Sequence, residues 1–225
     1  MRSPFRIVFF DCDSTLTRVE GIDELARNAD IADQVSQMTE AAMNGTVPLE
    51  AVYQKRLELI RPDRDAIQWL GQRYVQQLVE GARETISTLQ RLHKRVDIVS
   101  GGIWQAMLPL GEELGIPSGN IHAVKIQFDR KGGYVGFDLA NPLTRALGKA
   151  HICKDIIDGH GKDAVLVGDG VTDLDVQRIG IFVIGFGGVQ KRQAVLEAAD
   201  AYVSDSALTS VLDILLTDEE RRLIN

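Results

Sequence analysis

Residues 6–15 read RIVFFDCDST, a short run rich in β-branched and aromatic residues that stops abruptly at two acidic residues, Asp11 and Asp13. An apolar run of this length, bounded by polar residues, is the pattern of a strand buried on both faces of a parallel sheet. The pattern recurs at Arg95–Val99 (RVDIV), Ala164–Val167 (AVLV) and Ile181–Ile184 (IFVI), with Ala201–Val203 as a last short strand. Each run is bounded by Gly, Ser or Asp, and helical stretches separate them. Strands alternating with helices predict βαβ units and an α/β, Rossmann-like core: a mostly parallel sheet flanked by helices. In such sheets ligands bind beyond the carboxyl ends of the strands, which is where Asp11 and Asp13 emerge.

Between the first two strands, Thr17–Glu80 shows helical periodicity and no strand of its own, so residues 17–80 are expected to form an inserted helical-bundle cap. The expected core is then residues 1–16 and 81–225. Ile22–Ala29 and Ile31–Met43 read as amphipathic helices, with Gly45 as a stop. A third helix is predicted from a Thr46 cap with Pro48 in its first turn to about Ile60, and Asp63 caps a fourth. Four helices between two strands make a lid over the sheet edge. Residues 122–138, HAVKIQFDRKGGYVGFD, alternate apolar and polar on both sides of the turn Asp129–Gly133 and predict a small β-hairpin.

Composition narrows the function classes. The 225 residues are 44% hydrophobic and 25% charged, the ordinary range of a globular protein. A net charge of -7 argues against nucleic acid, whose binding draws on Lys and Arg, and favours a metal cation as complement. The apolar run before Asp11 is too brief for a signal peptide or a membrane span, so no membrane partner and a cytoplasmic location are expected. Cys12 and Cys153 form neither a CxxC pair nor a disulfide framework and read as inert reduced thiols.

Four segments carry chemistry. Asp11 and Asp13 crowd like charges at a strand end, which calls for a shared proton, a metal ion or a functional role; alone, the pair also reads as a solvated turn. Gly168-Asp169-Gly170-Val171-Thr172-Asp173 again follows an apolar strand, and its carboxylates with those of the first segment suit Mg2+, which prefers hard oxygen ligands. Histidine is absent from both segments, which disfavours zinc; alone, the second is equally a Gly-rich turn with a capping Asp. Ser100-Gly101-Gly102 ends the second strand and forms a phosphate cradle or an ordinary helix cap. Lys149, after Gly148, sits near a helix N-terminus, where its charge opposes the helix dipole and needs an anionic partner unless it is simply solvated.

In this order and at these positions, Asp11/Asp13, Ser100, Lys149 and Asp169/Asp173 resemble the four motifs of the haloacid dehalogenase (HAD) superfamily of phosphohydrolases. The segments DCDSTLTRVEGIDELA, MNGTVPLEAVYQKR, IVSGG, GYVGFD, GDGVTD and IGFGG are similar to those of the phosphoserine phosphatase family within it. Asn44, Leu49 and Thr172 depart from that family's commoner Gly, Phe and Asn. The resemblance implies hydrolysis of O-phospho-L-serine, the last step of serine biosynthesis, through an aspartyl phosphate on Asp11, with Asp13 as proton donor and then base. It implies Mg2+ held by Asp11, Asp169 and the Asp13 carbonyl, with Asp173 orienting the ion's waters. Ser100, Gly101 and Lys149 would bind the phosphoryl group, while Glu20, Met43, Arg56 and Thr172 would line the substrate site. Glu20 and Arg56 would hold the amino and carboxylate groups. A phosphatase or phosphotransferase for another small phosphomonoester, and a non-catalytic receiver of a phosphoryl signal, remain alternatives, as do monomer and homodimer.

Overall fold

The computed structural model describes residues 3–43, 49–157 and 163–224, with the side chains of residues 39–43 and 49 outside that description. Six parallel strands form one sheet in the order β3-β2-β1-β6-β7-β8. They are β1 (Ile7–Phe10), β2 (Arg95–Ile103), β3 (Ile121–Val124), β6 (Ala164–Gly168), β7 (Phe182–Phe186) and β8 (Ala201–Val203). A separate antiparallel pair joins β4 (Ile126–Phe128) to β5 (Tyr134–Phe137). The sequence pattern explains the layering: Val8, Phe9 and Phe10 on β1 and all five residues of β6 are buried, as strands covered on both faces require. The helices that supply the cover include α5 (Ala82–Arg91), α6 (Trp104–Leu114) and α7 (Gly148–Ile157).

Strand order reverses between β1 and β6, which pair in register from Ile7↔Ala164 to Phe10↔Val167. A crevice opens at the carboxyl ends of strands at such a switch point. The chain leaves β1 at Asp11, whose amide donates to the Val167 carbonyl at 2.9 Å, and leaves β6 at Asp169, so both acidic segments are delivered to the crevice.

Among the described residues five helices lie between β1 and β2: α1 (Gly21–Asn28), α2 (Ala32–Met43), α3 (Leu49–Ile60) and α4 (Arg64–Gln76), followed by the sheet-covering α5. Asp63 caps α4, its Oδ1 accepting from the Ala66 amide at 2.8 Å. The expected Gly45 stop, Thr46 cap and Pro48 lie outside the described residues. The helices dock on the β4–β5 pair: Arg61 and Arg64 stack over the rings of Tyr134 and Phe128, and Tyr53 packs edge-on against Phe137. Ser100 to Gly102 end the second strand as expected, with β2 running to Ile103 and α6 starting at Trp104. One expectation needs correction. Residues 122–124 belong not to the hairpin but to β3, paired in parallel with β2. Alternation reports a half-buried extended segment and cannot say which neighbour it pairs with. Part of the free edge of β3 is closed by side chains, with Trp104 Nε1 donating to the Ile121 carbonyl at 3.1 Å and Asn141 Nδ2 to that of Ala123 at 3.0 Å.

Asp97, fully buried on β2, ties this edge to the strand that carries Ser100. It accepts from Arg95 Nε at 2.7 Å and Nη2 at 2.9 Å, and from His122 Nε2 on β3 at 3.0 Å. Burial pushes its pKa up, but the hydrogen bonds from His122 and Arg95 outweigh burial and hold it below the usual carboxylate range. A carboxyl with a depressed folded pKa stabilises fully above its unfolded value of about 3.9 and ceases to do so as pH falls through the folded value. Asp97→Ala should therefore lower stability at pH 7 by about 1–3 kcal/mol, read from urea unfolding, with the deficit narrowing only in acid. A variant as stable as the wild type at pH 7 would contradict this role.

Candidate active site

Asp11 follows β1, and its Oδ1 accepts from the Cys12 amide at 2.7 Å. Asp169 follows β6, and Asp173 lies on α8 (Val171–Leu174), the short helix after it. One oxygen from each of these buried carboxylates falls within 4.8 Å of the other two. Lys149 resolves part of the crowding: its Nζ stands 2.7 Å from Asp11 Oδ2 and 2.6 Å from Asp173 Oδ1. The anionic partner that a lysine at a helix N-terminus calls for is thus a pair of carboxylates. Gly148 brings the lysine there, because a side chain at that position would run into the Pro142 carbonyl. Burial disfavours the ammonium, but Asp11 and Asp173 outweigh burial and raise its pKa.

The carboxylates feel the same confinement. Burial first, and the charges of Asp11 and Glu20 next, push the Asp169 pKa up to about 6 despite Arg192. Burial and Asp11 push Asp173 up to about 7 against the pull of Lys149. Burial, Glu20 and Asp11 raise Asp13 well above the carboxylate range. The donor set at Asp11, Asp169 and Asp173 is all hard oxygen, so this buried cluster is able to hold a metal ion.

A cavity of about 260 Å³ opens above these groups, small enough to restrict the ligand to a small molecule. Asp11, Asp13, Glu20, Arg56, Ser100, Gly101, Lys149, Asp169 and Thr172 all line it. Asp173 lies fully buried, its Oδ2 accepting from the Gly170 amide at 2.8 Å. The Met43 side chain lies outside the described residues. Ser100 Oγ accepts from the Gly102 amide at 3.2 Å. Glu20 accepts from Ser14 Oγ at 2.7 Å, and burial is the first cause that raises its pKa.

Three lining residues escape sequence reasoning. Arg192, in the loop after β7, places Nε 3.0 Å from Asp169 Oδ2 and Nη2 3.4 Å from Glu20 Oε1. Its one signal is its place at the carboxyl end of a strand, a few residues after IGFGG. Tyr53 on α3 donates its hydroxyl to the Gly101 carbonyl at 2.9 Å, and Tyr74 on α4 reaches the cavity floor; in sequence both look like ordinary apolar positions of amphipathic helices.

A carboxylate cluster at the switch point of this sheet, with a lysine between the acidic segments, defines a class of hydrolase. The model of the haloacid dehalogenase-like hydrolases matches residues 5–176, and the chain belongs to that family. It is 40% identical to the phosphoserine phosphatase of Bos taurus over 199 residues, 88% of each chain. It superimposes on a substrate-bound phosphoserine phosphatase complex with a TM-score of 0.77 at 26% identity, covering 96% of this chain and 100% of that one. A phospho-aspartyl intermediate analogue of phosphoserine phosphatase gives 0.76 at 27% identity, covering 95% and 100%.

Lys149→Met would leave Asp11 and Asp173 buried without their shared cation. Removing one partner of a buried ion pair costs about 3–5 kcal/mol, and that loss is expected in urea unfolding of the metal-free variant, with partial recovery on adding a divalent cation. An unchanged unfolding midpoint would show that the lysine does not carry this charge balance.

Proposed function

We propose that the chain hydrolyses O-phospho-L-serine to L-serine and phosphate with Mg2+ as cofactor, the final step of serine biosynthesis in the cytoplasm. The observation that carries this reading is that Asp11, Asp13, Lys149 and Asp169 line the same small cavity as Glu20 and Arg56. The first group suits phosphoryl transfer. The second suits a free amino acid, whose ammonium can pair with Glu20 and whose carboxylate can be gripped by a guanidinium. The names of the similar proteins support the same substrate.

In the proposed mechanism, Asp11 attacks phosphorus in line as the bond to the serine oxygen breaks, and Asp13 gives its proton to that oxygen. Asp13, now a carboxylate, takes a proton from water as the water attacks phosphorus, which releases phosphate and frees Asp11. Lys149, Ser100 and the Gly101 backbone hold the phosphoryl oxygens throughout. When bound by Asp11, Asp169 and the Asp13 carbonyl, with Asp173 supporting, Mg2+ supplies charge neutralisation between nucleophile and phosphate. Residues 17–80 act as a cap that excludes stray water, and Met43 and Thr172 complete the substrate site. No described helix is long and apolar enough to cross a membrane.

A panel of phosphomonoesters with Mg2+ or EDTA tests the reading. Phosphoserine should be preferred, EDTA should abolish turnover reversibly, and Asp11→Asn should be inactive. Arg56→Ala should raise KM for phosphoserine roughly 10- to 100-fold, the worth of a charged hydrogen bond, and leave phosphoethanolamine, which lacks the carboxylate, nearly unaffected. Equal rates on both esters with the wild type would overturn the assignment of substrate, and a single stoichiometric phosphorylation without turnover would indicate a receiver.

A further inference from the structure

Tyr74 on α4 is a fully buried side chain that the mechanism above leaves without a task. Among the described residues its hydroxyl meets no partner at full hydrogen-bond geometry, and it lines the same small cavity as Asp13. A phenolic hydroxyl beside a carboxylate donates to it.

The surroundings define which side of Asp13 it faces. The Gly21 amide donates to Asp13 Oδ1 at 3.2 Å, and the Tyr74 hydroxyl stands against the same glycine, where any side chain would collide with it. A glycine at the start of α1 therefore leaves room for the hydroxyl to come in beside the carboxyl. The other oxygen, Oδ2, faces the opposite way: a Cβ on Gly102 would lie 3.4 Å from it and 3.5 Å from Ser100 Oγ, which places Oδ2 at the phosphate cradle.

We propose that Tyr74 is a positioning residue for the proton donor: its hydroxyl donates to Asp13 on the Gly21 side, fixing the carboxyl so that Oδ2 is presented to the departing oxygen. This rests on the assignment of Asp13 as proton donor in the phosphatase reading. The hydrogen bond strengthens as the Asp13 proton moves to the leaving oxygen and the phosphorus–oxygen bond breaks, because the carboxylate left behind is the better acceptor. Tyr74 itself gives up no proton. It also links α4, within the proposed cap, to the chemical step.

The test is Tyr74→Phe, which keeps the ring, assayed with two substrates of unlike leaving groups. Serine leaves as a poor alkoxide that needs a proton, whereas p-nitrophenolate leaves without one, and kcat/KM reports only the steps through formation of the phospho-enzyme. The variant should lose roughly tenfold in kcat/KM for phosphoserine, the worth of one hydrogen bond to a charged group, with KM little changed, and should match the wild type on p-nitrophenyl phosphate. In an Asp13→Asn background the same substitution should cost nothing further, because its target is gone. Equal losses on both esters, additive losses with Asp13→Asn, or no loss at all would overturn the proposal, and a thermal melt distinguishes these from misfolding. If the wild type itself fails to turn over phosphoserine, the phosphatase reading fails instead.

Discussion

Three carboxylates brought within 4.8 Å of one another must repel, and the site is arranged around that repulsion. Two unit charges about 4 Å apart interact by about 4 kcal/mol at the effective dielectric near a protein surface, and more strongly where water is excluded. No single element could hold the cluster. Asp11 is fixed by β1, Asp169 by β6 and Asp173 by α8, and the buried side chains of the two central strands keep those ends level. Lys149, delivered by the tight turn at Gly148, sits between Asp11 and Asp173 and makes the arrangement tolerable.

The charge network also ties the sheet edge to the helices above it. Arg192 bridges Asp169 and Glu20, so the loop after β7 joins the carboxylate cluster to the entrance of α1. Ser14 holds the same Glu20, and Tyr53 on α3 reaches down to the Gly101 carbonyl. From the other side the β4–β5 pair receives Arg61, Arg64 and Tyr53 on its aromatic faces. Movement of the helical segment would therefore be felt at Gly101 and Glu20, two residues of the cavity wall, rather than being absorbed by a passive hinge.

How much of this was legible depended on whether the signal was local. The strands β1, β6 and β7 are apolar runs long enough to identify themselves, and the acidic residues at the ends of β1 and β6 follow from chain order. The edge strand β3 escaped because His122 and Lys125 break the apolar run and make it look like half of a hairpin. Its His122 is paired with the buried Asp97 on β2, and that contact exists only in three dimensions. Tyr53, Tyr74 and Arg192 were illegible for the same reason: an aromatic residue on a helix or an arginine in a loop is ordinary until the fold brings it against a carboxyl or a backbone carbonyl. Lys149 lay between, since its unfavourable helix position announced a missing anion without saying which.

The most direct measurement of the central claim is chemical trapping of the nucleophile. The enzyme is mixed with phosphoserine and Mg2+, quenched in acid during turnover, reduced with borohydride and digested, so that an aspartyl phosphate is converted to homoserine and located by mass spectrometry. The account predicts homoserine at position 11 alone, dependent on substrate. Turnover with no modified aspartate, or with the label at Asp13, Asp169 or Asp173, would contradict it.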